Sequence, residues 1–269
     1  MKYLNPLKLR TIAATLVAFA FIASAVAPLR AQQPPAQDKG TSRSKVERKN
    51  RAPVSKEVLR VKLPKAVEVV LDNGLTVMIL EDHRFPVVNM NLQMSGAGPI
   101  FDPADKPGLA NLTSQMLREG TKTRNSRQIA EEIDKLGATL GANSGFGSTA
   151  ASVNASGLSD NFDQWFGLMA DMLMNPSFPA DEFGKLKARQ KTALMQQRTQ
   201  PGFLSQERFR RVVYGNHPAA VFSTTPAVLD SLTPEMLAAW HRERYVPQNA
   251  VLGIAGDVKA SEVIAKLKT

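Results

Sequence analysis

Two short apolar runs near residue 70 flank the strongest turn signal of the chain. Val67–Leu71 and Thr76–Leu80 are rich in valine, leucine and other β-forming residues, and Asn73-Gly74 lies between them. Asn-Gly favours the tight turn whose twist matches that of an antiparallel strand pair. The pattern therefore predicts a β-hairpin. Val87–Met94 alternates apolar and polar residues, which predicts a third strand with one buried face.

Apolar residues at helical spacing follow from about residue 108 onward. Ile129 and Ile133 share one face of a helix that Asn125 or Ser126 caps and Gly137 ends. Other helices are predicted over Gly108–Glu119, Asp181–Gln197, Phe203–Tyr214 and Pro234–Arg244. A helix over Leu158–Leu173 has a large apolar stripe that we interpret as core: Phe162, Trp165, Phe166, Met169 and Leu173. A small-residue strand region (Ala138–Ser156) and a last strand (Ala250–Ala255) complete an α+β pattern.

The first 31 residues have the pattern of an export signal. Lys2, Lys8 and Arg10 precede an apolar run over residues 11–27, and small residues follow it. We predict a signal peptide over residues 1–31, cleaved after Ala31, and hence a periplasmic or cell-envelope location. The alternative is an uncleaved membrane anchor, since a run of this length is just sufficient to span a bilayer. Membrane contact is expected only through this segment, if it is retained.

The net charge of +10 belongs to the N-terminal part of the chain. Residues 32–64 are rich in proline, glutamine, serine and lysine and lack apolar periodicity, which predicts a disordered basic linker. From residue 65 to residue 269 basic and acidic residues are equal in number, 21 of each. A globular part without net charge argues against a nucleic-acid partner.

The composition also excludes several kinds of metal site. The chain has no cysteine, which rules out disulfides, a thiol nucleophile and cysteine-ligated metals. Its three histidines, His83, His217 and His241, are scattered along the sequence, which argues against a histidine-based metal cluster.

Nine short segments, in order along the chain, resemble the pitrilysin/insulinase family of metallopeptidases, which includes mitochondrial processing peptidase. The resemblance implies an α+β metallopeptidase-half fold, with a mostly antiparallel sheet covered by helices. It implies an N-terminal peptidase-like domain over residues 65–224 and the start of a second, truncated domain over residues 225–269. The segments are Leu71–Val77, Pro107–Ala110, Glu119–Thr121, Leu136–Thr139, Asn175–Phe178, Tyr214–Pro218, Leu232–Glu235, Tyr245–Asn249 and Gly256–Val258.

The zinc motif of that family is altered in this sequence. Active members carry H-x-x-E-H on the helix after Pro107, where two histidines bind zinc and the glutamate activates water. Here Asn111 and Gln115 stand at the histidine positions and Ser114 at the glutamate position. A further glutamate ligand is expected 75–77 residues on, where we assign Thr192, or Ala193 in the alternative register. The resemblance therefore implies no bound metal, no cofactor and no catalytic residue in this chain.

The resemblance also implies a role for the small-residue strand region. In active relatives this strand is an open edge to which the substrate peptide adds as a further strand. We expect peptide contacts from Gly141, Asn143, Ser144, Ser148 and Ala150. The favoured hypothesis is a non-catalytic subunit that pairs with a zinc-bearing sister peptidase and binds peptides. The alternatives are an active zinc endopeptidase with atypical ligands and a stand-alone peptide-binding scaffold of the envelope.

Overall fold

The computed structural model of the protein describes residues 65–268. The predicted signal peptide (1–31) and basic linker (32–64) lie outside the described residues. Between residues 65 and 268, no helix is both long and apolar enough to cross a bilayer.

Six strands form one mixed sheet in the order β1-β2-β6-β3-β5-β4. All adjacent pairs are antiparallel except β2 and β6, which are parallel. The strands are β1 (Val67–Val70), β2 (Thr76–Glu81), β3 (Val87–Ser95), β4 (Thr139–Asn143), β5 (Ala150–Leu158) and β6 (Ala250–Gly256). The predicted hairpin is confirmed as β1 and β2, and Gly74 has the positive φ of 87° that its turn requires.

Eight α-helices accompany the sheet within residues 65–268. They are α1 (Leu109–Met116), α2 (Ser126–Leu136), α3 (Phe162–Met174), α4 (Ala180–Gln197), α5 (Pro201–Tyr214), α6 (Pro226–Ser231), α7 (Pro234–Arg244) and α8 (Ala260–Leu267). Helix α2 begins at a capping box in which Asn125 and Gln128 each accept a backbone N–H of the other at 2.9 Å. It ends at Gly137, as predicted, in the left-handed conformation. The α+β fold class is confirmed.

The core lies between one face of the sheet and the helices. Along β3, Val88, Met90, Leu92 and Met94 are buried, whereas the alternate residues face away from the core. The stripe predicted on α3 contributes to this core, since Trp165 is fully buried and Phe162 and Met169 nearly so. Phe166 and Leu173 pack against the core but are only partly buried.

Two predicted boundaries are corrected by the sheet. The region Ala138–Ser156 is not one strand but the hairpin of β4 and β5, which pair antiparallel. The predicted domain boundary between residues 224 and 225 does not separate two units. Strand β6 lies between β2 and β3, so the segment after residue 224 supplies an internal strand to the sheet of the preceding residues.

Candidate functional site

Helix α1 carries the residues that stand at the zinc-motif positions. It begins after Gly108, whose φ is 105°, and packs against α7 and β4. The carboxylate of Asp102 accepts the N–H of Gly108 at 2.7 Å and that of Ala110 at 2.9 Å. These bonds satisfy backbone donors that the first turn of a helix leaves open. Burial raises the pKa of Asp102 to about 6, although the same backbone hydrogen bonds act to lower it.

Asn111, Ser114 and Gln115 lie on one side of α1, as their spacing of three and four residues dictates. The Ser114 side chain is fully buried, and its hydroxyl donates to the backbone carbonyl of Asn111 at 2.8 Å. That hydroxyl is therefore occupied by its own helix. Asn111 and Gln115 are half-buried and point toward α4 and the loop after β4.

Three amide side chains form a continuous hydrogen-bonded series at this position. Gln190 Nε2 on α4 donates to Gln115 Oε1 at 2.9 Å, and Gln115 Nε2 donates to Asn111 Oδ1 at 2.7 Å. Asn111 Nδ2 then donates to the backbone carbonyl of Ser144 at 2.8 Å. We call the side chains of Gln190, Gln115 and Asn111 the amide chain. It links α4, α1 and the end of β4 without any ionisable group.

The residue of α4 that contacts the zinc-motif positions of α1 is Gln190 and not Thr192, the residue assigned from the sequence. The side chain of Thr192 is exposed, and its hydroxyl donates to the carbonyl of Ala188 on its own helix at 3.1 Å. Gln190 is the residue of α4 that reaches Gln115, 75 residues earlier in the chain. Two residues along a helix correspond to about 200° of rotation, which turns Thr192 away from α1. No local sequence signal identifies Gln190, because the same helix also contains Gln196 and Gln197.

The donor groups at this position do not fit a zinc ion. Zinc in proteins is bound by thiolates, imidazoles and carboxylates, whereas the amide chain offers neutral amides that are already bonded to one another. In the part of the chain that the structure describes, no group of three or more His, Cys, Asp or Glu side chains is placed to hold a metal. His241 lies elsewhere, with Nε2 2.8 Å from the Leu173 carbonyl oxygen, and burial lowers its pKa.

Strand β4 is an edge strand of the sheet, and it contains two of the five residues predicted to contact peptide. Gly141 and Asn143 lie on β4, where they pair with Asn154 and Ser152 of β5. The assignment of Ala150 to the edge is corrected, because β5 lies between β4 and β3 and Ala150 pairs with Ser95.

Ser144 and Ser148 lie in the loop between β4 and β5 rather than on the edge itself. Their hydroxyls donate to the carbonyl of Ala150 at 3.2 Å and 2.8 Å, respectively. Ser144 is buried, so its side chain holds the loop and only its backbone carbonyl meets the amide chain. On α5, Arg210 Nη1 donates to the carbonyl of Phe146 at 3.2 Å and fixes the tip of the loop.

The free side of β4 carries backbone groups that have no strand partner within residues 65–268. Arg118, just after α1, donates from Nη1 to the Leu140 carbonyl at 3.4 Å, so this carbonyl points away from β5. Because backbone groups alternate along an antiparallel strand, the N–H and carbonyl of Ala142 point the same way. Leu140 and Ala142 thus present the edge to which a further strand can pair.

The comparisons with known proteins agree with this architecture. Residues 76–220 match the family model described as insulinase, peptidase family M16. The crystal structure of an inactive M16 peptidase domain from Pseudomonas fluorescens superposes with a TM-score of 0.71 and 26% sequence identity. That match covers 76% of this chain and 49% of that one.

Curated relatives include proteins named as proteases and one named as a non-peptidase. An uncharacterized zinc protease of Rickettsia felis is 28% identical over 196 residues, which are 72% of this chain and 47% of that protein. A Helicobacter pylori protein described as a non-peptidase homolog is 23% identical over 193 residues, 70% of this chain and 43% of that protein. The chain therefore spans about half the length of the curated relatives it matches.

Proposed function

Because the chain belongs to the insulinase family, peptidase family M16, we propose that it is a non-catalytic member that binds peptides beside a zinc-bearing partner. The observation that carries the proposal is the amide chain at the zinc-motif positions. Hydrolysis by this family's chemistry needs a metal to polarise the peptide carbonyl and a general base to activate water. Gln115, Asn111 and Ser114 supply neither, since amides do not titrate near neutral pH and the serine hydroxyl is bonded within its helix.

Peptide binding is proposed at the free edge of β4. An extended peptide that pairs with an exposed edge gains main-chain hydrogen bonds, whatever its sequence. Leu140 and Ala142 offer such groups, and the lack of a side chain at Gly141 leaves open space beside the strand. The amide chain supports this role by holding the end of β4 against α1 and α4.

The partner and the location are further parts of the proposal. Members of the family often pair as halves of a peptidase. In such a pair, a half without metal can bind the peptide while the other half carries the zinc. We propose a zinc-bearing sister subunit as the partner, with zinc bound there and not in this chain. The export signal predicted over residues 1–31 supports a periplasmic or envelope location.

Three measurements on the purified full chain and one co-expression experiment test the proposal. Metal analysis after incubation with zinc is expected to find no stoichiometric ion, and the chain alone is expected to cleave no peptide. Fluorescence anisotropy is expected to detect binding of an extended labelled peptide. Co-expression with each envelope relative that carries H-x-x-E-H is expected to yield a complex with peptidase activity. One tightly bound zinc with activity would instead support an atypical peptidase, and peptide binding without any complex would support a stand-alone scaffold.

A proline substitution on β4 tests whether the peptide binds at the free edge of this strand. Ala142→Pro removes an N–H that faces away from β5, so it is expected to weaken peptide binding while the β4–β5 pairing persists. Gly141→Ala is the matched control on the same strand, because its added Cβ would meet nothing within 4 Å. Equal peptide affinity of the two variants would place the binding site elsewhere.

A further inference from the structure

A polar cavity of about 310 Å³ lies beside the middle of β4, between that strand and helices α1, α2 and α4. Its wall includes Ala142 of β4 and Gln115, the central member of the amide chain. The charged part of the wall consists of Arg118, Glu119 and Arg189. The cavity is therefore next to the proposed peptide edge and shares a residue with the candidate site.

The wall of this cavity carries more arginine side chains than carboxylates to pair with them. Within residues 65–268, Glu119 is the one acidic side chain of the wall, against two guanidinium groups. Glu119 accepts the Ser126 hydroxyl at 2.8 Å, and its other oxygen is 3.5 Å from Arg189. Arg118 contacts only a backbone carbonyl, that of Leu140 at 3.4 Å, among the contacts that the structure gives it. Arginine pairs best with a carboxylate, which accepts two of its N–H groups.

The register of the sheet directs a peptide side chain into this cavity. Ala142 pairs with Val153, a buried residue, so the side chain of Ala142 is on the face of the sheet that the helices cover. A peptide residue placed opposite Ala142 in an added strand has its side chain on the same face. Methyl-sized Ala142 leaves that space unfilled, and the two arginines lie around it.

We infer that this cavity binds a carboxylate of the peptide that pairs with β4, so that the protein selects acidic peptides. The inference rests on the proposed peptide binding and adds the substrate class. The carboxylate has two sources, a glutamate or aspartate side chain and the C-terminus of the peptide. A side chain is expected to bind along the strand, whereas a C-terminus would require the peptide to end at Ala142.

The test compares peptides that differ by one group. Labelled ten-residue peptides with a central Glu, a central Gln, or a central Gln and an amidated C-terminus are titrated against the full-length protein. The Glu peptide is expected to bind roughly two- to fivefold more tightly than the Gln peptide, because Arg118 and Arg189 are exposed and solvent weakens such ion pairs. Amidation is expected to change nothing if the side chain is the ligand. Loss of affinity on amidation alone would assign the cavity to the C-terminus.

Variants of the two arginines test whether the preference for Glu comes from this cavity or from attraction between the peptide and the positive charge of the protein in general. Arg118→Gln and Arg189→Gln are each expected to reduce the ratio of the affinity for the Glu peptide to that for the Gln peptide. Arg118→Glu is expected to reverse the preference in favour of a peptide with a central Lys. Arg127→Gln on α2, where Arg127 is exposed and paired with Glu131, is the matched control and is expected to keep the full preference. Thermal unfolding confirms that each variant is folded.

The outcomes distinguish the inference from the function on which it rests. Equal binding of the Glu and Gln peptides overturns the acidic pocket but leaves peptide binding in place. A preference that survives in both Arg118→Gln and Arg189→Gln also overturns it. Failure of every peptide to bind the unaltered protein overturns the proposed function and the pocket with it.

Discussion

The amide chain makes a testable contribution to stability through Gln115, its central member. Gln115→Leu keeps a side chain of similar length but removes the bond from Gln190 and the bond to Asn111. Each such bond is worth about 1 kcal/mol net, and an unpaired buried amide costs about 1–3 kcal/mol. Because both partners are half-buried and partly reachable by water, we expect the free energy of unfolding to fall by about 2 kcal/mol.

The assay is chemical denaturation followed by circular dichroism, on a double-mutant cycle. Gln115→Leu, Gln190→Leu and the double variant are compared with the unaltered protein. The second substitution is expected to cost about 1 kcal/mol less in the double variant than alone, since the shared bond is already gone. Gln206→Leu, at an exposed position of α5, is the control and is expected to change stability by less than about 0.5 kcal/mol. If the two substitutions change the free energy of unfolding additively, or if Gln115→Leu is as stable as the unaltered protein, the amide chain does not contribute to stability as proposed.

Two other predictions concern the segments that position the site. Because burial raises the pKa of Asp102 from 3.8 to about 6 on folding, its contribution to stability is fully present only below pH 3.8 and is lost as the pH rises through 6. Between pH 4 and pH 7, chemical denaturation is therefore expected to show that the free energy of unfolding of the unaltered protein falls by about 2 kcal/mol more than that of Asp102→Asn, whose amide does not titrate in this range. A difference between the two proteins that does not change with pH would contradict this. Gly98→Ala is expected to destabilise the protein by more than about 2 kcal/mol in thermal unfolding, because its Cβ would overlap the backbone of Ser148 and Ala150. Gly167→Ala, within α3, is the comparison, since its Cβ would meet nothing within 4 Å and its backbone conformation is helical. Equal losses of stability in the two variants would contradict the close contact at Gly98.

Local signals in the sequence predicted the elements well. Asn73-Gly74 specifies the first hairpin, and Asn125 and Gly137 mark the two ends of α2, because turns and caps depend on residues a few positions apart. The buried stripe of Trp165 and Met169 follows from helical periodicity alone.

The features that the sequence did not reveal depend on contacts between distant residues. Gln190 meets Gln115 across 75 residues, and no local pattern distinguishes it from Thr192 on the same helix. The internal position of β6 arises from pairing with β2, about 175 residues earlier, so periodicity cannot place it. A run of small residues likewise conceals the turn between β4 and β5, which left Ala150 on the wrong strand.

The central claim is that Gln190 and the amides of α1 occupy the positions of a zinc site that this chain has lost. Two rebuilt proteins test it, both with Asn111→His, Ser114→Glu and Gln115→His. The first adds Gln190→Glu and the second adds Thr192→Glu, and zinc affinity is measured by competition with a chelating dye. The account predicts no stoichiometric zinc on the unaltered protein, and tighter binding by the first rebuilt protein than by the second. Stoichiometric zinc on the unaltered protein, or equal affinity of the two rebuilt proteins, would contradict it.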